Sequence, residues 1–162
     1  MTATPSTHPA VSSAGGRQHG GPAWSHVLFA TDGTPGSLTA AERALDAART
    51  DGGTLTILVV RPVEEDPSAD ESAVYRLPDS CRSVLDRAAS LGVTASVVVR
   101  HGPPGQTIVD VASELHASAI VLSRHGWPRD VARRTATCGY VLSHSDRPVL
   151  VIQPWSPSDA GV

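Results

Sequence analysis

His26-Val-Leu-Phe-Ala-Thr31 is followed at once by Asp32-Gly-Thr-Pro-Gly-Ser37. A short run of β-formers that stops at glycines and a proline predicts a strand closed by a tight loop. Leu38, Ala41, Leu45 and Ala48 then recur at helical spacing, with Thr39 and Glu42 offering a Thr-x-x-Glu cap near the start. Gly52-Gly53 break that helix, and residues 54–60 form a nearly continuous β-branched and aliphatic run. Such a run is what a strand covered on both faces requires, so strand, loop, helix and strand make one βαβ unit.

The alternation continues. Residues 61–80 are polar and acidic, carry Pro62, Pro67 and Pro78, and read as a loop with room for a short turn. Cys81, Val84, Leu85, Ala88 and Leu91 mark one face of a second helix that Gly92 ends, and residues 93–99 form the third strand. Gly102-Pro-Pro-Gly105 leads into a helix with Ile108, Val111, Ala112 and Leu115 on one side. Residues 118–123 are the fourth strand, Arg124-His-Gly-Trp-Pro128 the next loop, and Val131, Thr135, Cys138 and Leu142 the inner face of the last helix. Residues 148–152 close the series. Each return to a parallel strand needs a crossover of helix length, so strands and helices in this order predict a parallel sheet with helices on both faces. The expected fold is a doubly wound, Rossmann-like α/β sheet of five strands in the order 3-2-1-4-5.

Composition narrows the chemistry. With 162 residues and 40% apolar content the chain has the size of one compact domain. All 13 basic residues are arginine. Schiff-base catalysis and a Walker phosphate loop both need a lysine, and are excluded. Asparagine is absent too, which excludes N-glycosylation. A net charge of −3 gives no surplus of positive charge for coating nucleic acid. Cys81 and Cys138 are too few for a disulfide framework or an all-cysteine zinc site, and they fall on apolar helix faces where core packing suits them. Residues 1–23 are small, polar and proline-containing and are expected to be a disordered tail; 24–154 form the domain and 155–162 a short tail. No signal-peptide or membrane-length apolar run occurs, so a cytoplasmic location is expected.

In open parallel sheets ligands bind beyond the carboxyl ends of the strands, where the strand order reverses. For the order 3-2-1-4-5 that point lies between strands one and four, which sets residues 32–37 opposite residues 123–128. Asp32 could accept hydrogen bonds from a nucleoside, or could only satisfy amides of its own turn. Gly33 and Gly36 allow close backbone approach. Across the crevice Gly126 precedes a helix whose free amides could hold a phosphate, with Arg124 and Arg129 as charge-assisted donors. His125 and His101 stand on the same rim, and Trp127 could stack on a base or cover the helix end.

Several of these segments together resemble the universal stress protein family over residues 26–154. Val27-Leu-Phe-Ala-Thr-Asp32-Gly-Thr resembles its first strand and aspartate, and Leu55 through Val60 its second strand. Gly102-Pro103 through Ile108 and Ala112 is similar to its Gly-x-Pro helix entry. Ala119-Ile-Val-Leu-Ser-Arg-His-Gly126, with Arg147-Pro148-Val-Leu-Val-Ile152, resembles its ending. The resemblance implies a binding set of Ala30, Thr31, Asp32, Val60 and Leu122, with Ser123, His125, Gly126, Thr135, Ala136 and Thr137 on the phosphate side. Asp32, Val60 and Leu122 align with the adenosine-contacting positions.

One departure stands out. Members that bind ATP carry Gly-x-x-Gly, a spacer, then Gly-Ser or Gly-Thr. Matched back from Pro148, Ser123 replaces the first glycine, Gly126 is the second, and the final pair becomes Thr135-Ala136, one residue short. Counted forward from Gly126, the pair is Ala136-Thr137, which restores the hydroxyl without the glycine. A β-branched residue leaves less room beside its amide than glycine does, so nucleoside recognition is expected to outlast the triphosphate grip.

The expectation is a cytoplasmic stress-response and signalling module that binds ATP or another adenine nucleotide, with no catalytic set. Pairing of a second copy along Val149–Ile152 would cover an otherwise open sheet edge, and the resemblance implies the same homodimer. The rivals are a dimeric interaction module without a small ligand and a small flavin- or nucleotide-using enzyme. Aromatic content of 4% leaves few rings to sandwich a flavin.

Overall fold

The computed structural model describes residues 24–61, 77–124 and 131–153. The tails expected at 1–23 and 155–162 lie outside the described residues. Five parallel strands, β1 (His26–Thr31), β2 (Thr54–Arg61), β3 (Thr94–His101), β4 (Ala119–Ser123) and β5 (Val149–Ile152), form one sheet in the order β3-β2-β1-β4-β5. The described helices are α1 (Leu38–Thr50), α2 (Asp79–Ser90), α3 (Pro104–Glu114) and α4 (Val131–His144), with a 3-10 turn at Pro35–Ser37. The doubly wound architecture and strand order are those expected.

Strand alternation sorts the core into two layers. Val27, Phe29, Leu55, Ile57, Val59 and Val121 pack under α1 and α2 with Leu45, Cys81 and Val84. Leu28, Ala30, Leu58, Ile120 and Leu122 face Ile108, Val111, Cys138 and Val141 of α3 and α4. Helix rotation differs from expectation at two leucines. Leu142 is 57% exposed, and Val141, three residues past Cys138 rather than four, is fully buried. Periodicity allows either neighbour, and the packing of α4 on α3 chooses. A Cβ on Gly105 would come within 2.8 Å of Tyr140 Cβ, so the helices touch there and turn Leu142 outward. The side chains of Val131 and Thr135, expected on the same inner face, lie outside the described residues. Leu38 is also outward, because α1 buries the small Ala40, Ala41, Ala44 and Ala48 beside Leu45.

The Thr39-x-x-Glu42 cap does not form. Helix α1 begins at Leu38 with Ser37 as its N-cap, and Glu42 instead lies 3.7 Å from Arg87 of α2. Helix α2 starts at Asp79, two residues ahead of the apolar pattern that marks it.

Three helices end alike. The amides of Gly53, Val93 and Ala117 donate to the carbonyls of Ala48, Ala88 and Ala112 at 2.8, 2.9 and 2.9 Å, closing a Schellman motif each time. The left-handed residue is glycine in the first two, Gly52 and Gly92, but His116 at φ +51° in the third. A left-handed L-residue costs ~1–2 kcal/mol, whereas glycine adds ~0.5–1 kcal/mol of unfolded-chain entropy. His116→Gly is therefore expected to stabilise the protein by about 0.5–1 kcal/mol, read as a higher urea midpoint.

The amino ends of the strands are tied by a polar row. Leu115 O can only accept, so His26 Nδ1 donates to it at 3.1 Å, and Nε2 accepts from the Thr56 hydroxyl at 2.9 Å. Ser96 Oγ lies 3.3 Å from that hydroxyl, and Ser118 Oγ donates to His26 O at 2.9 Å. These polar groups satisfy one another and tie β1, β2 and the end of α3 together at that rim.

Candidate functional site

Strand β1 lies between β2 and β4, and the chain order reverses between β1 and β4. Ala30 is in register with both Leu58 and Leu122, so the loop after β1 and the residues after β4 leave the sheet side by side. Ala30 and Leu122 are buried and Val60 half-buried, and all three belong to the layer facing α3 and α4. Thr31 and Ser123 are half-buried at the strand ends, with Asp32 and Arg124 exposed just beyond them.

The loop after β1 is wired by its own side chains. Thr31 Oγ1 donates to Ser37 Oγ at 2.8 Å, and Ser37 Oγ, almost wholly buried, donates on to Thr34 O at 2.7 Å. Gly33 N donates to Thr31 Oγ1 at 3.0 Å. Asp32 Oδ1 accepts from both Thr34 N at 3.0 Å and Thr34 Oγ1 at 2.7 Å. The carboxylate thus does close an Asx turn, one of the two roles open to it from sequence, and its position at the rim is set before any ligand arrives.

Gly33 has φ +77°, a conformation that favours glycine, but the space beside it is not open. A Cβ there would meet Pro78 Cβ at 2.9 Å, and Ser80 Oγ donates to Gly33 O at 2.6 Å. The close approach this glycine permits is that of the start of α2. Sequence reasoning missed Pro78 and Ser80 as neighbours of the site, because nothing local announces a contact across 47 positions.

On the other side of the crevice, Ser123 ends β4 and Arg124 N donates to Ile152 O at 2.7 Å, which fixes where the chain leaves the sheet. His125, Gly126 and Trp127 lie outside the described residues. Thr135 belongs to α4, where Ala136 is exposed and Thr137 half-buried. His101 is exposed at the end of β3, two strands away from β1.

Cys81 and Cys138 are both buried, as their apolar faces predict. Burial pushes both thiols above their ordinary 9.0, opposed by the Ser80 hydroxyl beside Cys81 and by the Arg124 charge near Cys138. The sign follows from proton counts. Above pH 9.0 the unfolded chain gives up thiol protons that the fold still holds. The thiols' contribution is therefore complete below that value and is lost as pH rises through the folded values. Urea midpoints should fall on the alkaline side, and a Cys81→Ala, Cys138→Ala variant should fall less steeply over the same range.

The sequence pattern of the universal stress protein family matches residues 23–153. The chain belongs to the universal stress protein family. None of the curated proteins matches it closely enough to count as a relative. Among solved structures it is similar to a universal stress protein in complex with cAMP, at 25% identity and TM-score 0.63, covering 80% of this chain and 97% of that one. A universal stress protein family member from Burkholderia pseudomallei is 22% identical, with TM-score 0.63 and coverage of 82% and 98%. One from Archaeoglobus fulgidus in complex with dAMP is 19% identical, with TM-score 0.61 and coverage of 80% and 98%. These last two likenesses speak for the fold. No described helix of this universal stress protein is long and apolar enough to cross a membrane.

Proposed function

We propose that this universal stress protein binds an adenine nucleotide at the carboxyl rim between β1 and β4 and acts as a cytoplasmic stress-response and signalling module. The observation that carries the reading is the convergence of the Asp32 loop with Ser123 where the strand order reverses, the place at which open α/β sheets hold ligands. The cAMP complex of its 25% identical relative supports the choice of ligand class.

Ala30, Val60 and Leu122 offer an apolar bed on one face, and Asp32 stands on the loop that leaves the end of β1 just beyond it. The Asp32 carboxylate is an acceptor, the chemistry that recognises ribose hydroxyls. Thr31 supports the loop. The family resemblance assigns Ser123, His125, Gly126, Thr135, Ala136 and Thr137 to the phosphate side, with His125 and Gly126 outside the described residues. Without a glycine at the final pair of that side, the affinity comes chiefly from the nucleoside, and a monophosphate such as cAMP should bind at least as well as ATP.

Calorimetric titration with cAMP and with ATP tests this, together with mass spectrometry of small molecules released on denaturation. Saturable heat with cAMP is expected, and neither heat nor co-purified nucleotide would refute the reading. The missing glycine favours one competitor, a dimeric interaction module that holds no small molecule.

The second part of the proposal is a homodimer through β5. Each residue of Val149–Ile152 is only half-buried in the single chain although all four are apolar, and β5 is an edge strand. Sedimentation at micromolar concentration should show a dimer; a monomer would remove this part.

A further inference from the structure

We infer that Ser80, braced by Pro78, is a positioning residue for the nucleotide loop after β1, an inference that rests on the nucleotide reading of that rim. The two residues belong to the start of α2, far along the chain from the loop they touch. Ser80 Oγ donates to Gly33 O at 2.6 Å, and the Pro78 ring fills the space beside the Gly33 Cα. Gly33 is the residue between Asp32 and Thr34, the two partners of the Asx turn. Its carbonyl shares one peptide plane with Thr34 N, so fixing it fixes the N–H that donates to the Asp32 carboxylate.

The direction of support matters. Helix α2 packs in the layer of Phe29 and Val59, whereas Ala30, Val60 and Leu122 face the opposite layer. The brace reaches the loop from the side away from the proposed adenosine bed, so it can hold Asp32 without occupying the ligand's place. Preorganisation of this kind raises affinity by lowering the ordering cost of binding rather than by adding a contact to the ligand.

The test uses the full chain as wild type, Ser80→Ala and Ser80→Thr, with cAMP as the probe. Loss of one hydrogen bond should speed amide exchange at Gly33 and Thr34 by roughly three- to tenfold in Ser80→Ala. The same loss should weaken cAMP binding by a similar factor. Exchange within β1 and β2 should stay at wild-type rates, and Ser80→Thr should restore both loop exchange and affinity. Recovery with the hydroxyl restored, and an unaltered sheet, separate positioning from general stability. Wild-type exchange at Gly33 and Thr34 in Ser80→Ala would overturn the inference, as would affinity lost equally in Ser80→Thr. Failure of the wild type itself to bind cAMP would instead refute the nucleotide reading on which the ligand half depends, and is read independently of the exchange data.

Discussion

Gly53→Ala should destabilise the protein by about 3 kcal/mol or more, close to the upper end of what overpacking costs. A Cβ at Gly53 would collide with the carbonyl oxygen of Trp24, and would lie 2.9 Å from Ser25 O and 3.0 Å from Ser25 C. Those are backbone atoms and cannot swing aside. They are also in use, since Thr54 N donates to Ser25 O at 3.1 Å and Trp24 N donates to Asp51 Oδ2 at 2.9 Å. Relief of the collision would pull apart the entry to β1 and β2 together. Gly52, its neighbour, is the control: nothing lies within 4 Å of its would-be Cβ, but its φ is +64°. Gly52→Ala should cost only about 0.5–1 kcal/mol, the strain of a left-handed L-residue less the unfolded-chain entropy of glycine. Urea unfolding of both variants checks the ordering, and equal losses would mean that the close approach at Gly53 is relieved without strain.

Asp32→Asn should weaken cAMP binding by about ten- to a hundredfold, the equivalent of the ~1.5–3 kcal/mol assigned to hydrogen bonds involving a charged group. Asparagine keeps a side-chain oxygen that can accept from Thr34 N and Thr34 Oγ1, so the Asx turn has what it needs. The substitution removes the charge and half the acceptor capacity. Calorimetry, with the urea midpoint measured in parallel, separates the two roles of this residue. Unchanged affinity with an unchanged midpoint would leave Asp32 as a turn residue only.

Much of this molecule was legible before any coordinate. Runs such as Leu55-Thr-Ile-Leu-Val-Val60 are continuous because β2 is covered on both faces, and that continuity marks it as a strand of a parallel sheet. The right strand order then located the rim by a rule about topology rather than about any residue. Helix faces were legible to within one residue. Cys138 is inward as its spacing predicts, but Val141 and Leu142 are both apolar, and only the contact between Gly105 and Tyr140 shows which one turns inward.

Other features left no local trace. Gly52 and Gly53 look alike in sequence as helix breakers, yet one serves a backbone angle and the other a steric gap defined by Trp24 and Ser25. Ser37 sits in a loop rich in turn formers, but its buried hydroxyl, relaying Thr31 Oγ1 to Thr34 O, appears only when Thr31 is beside it. The Ser80 contact with Gly33 spans the acidic, proline-containing stretch whose residues show no periodic apolar pattern. Long-range contacts of this kind are set by how α2 lands on the sheet, which no short-range pattern encodes.

An amide NMR titration of the nitrogen-labelled protein with cAMP is the sharpest trial of the proposed site. Resonances of Asp32, Gly33, Thr34, Ser123 and Arg124 should move together and saturate at one dissociation constant, while His26, Thr56 and Ser118 at the far end of the sheet stay in place. Shifts confined to that far end, or none at saturating nucleotide, would show that the rim between β1 and β4 does not bind the ligand.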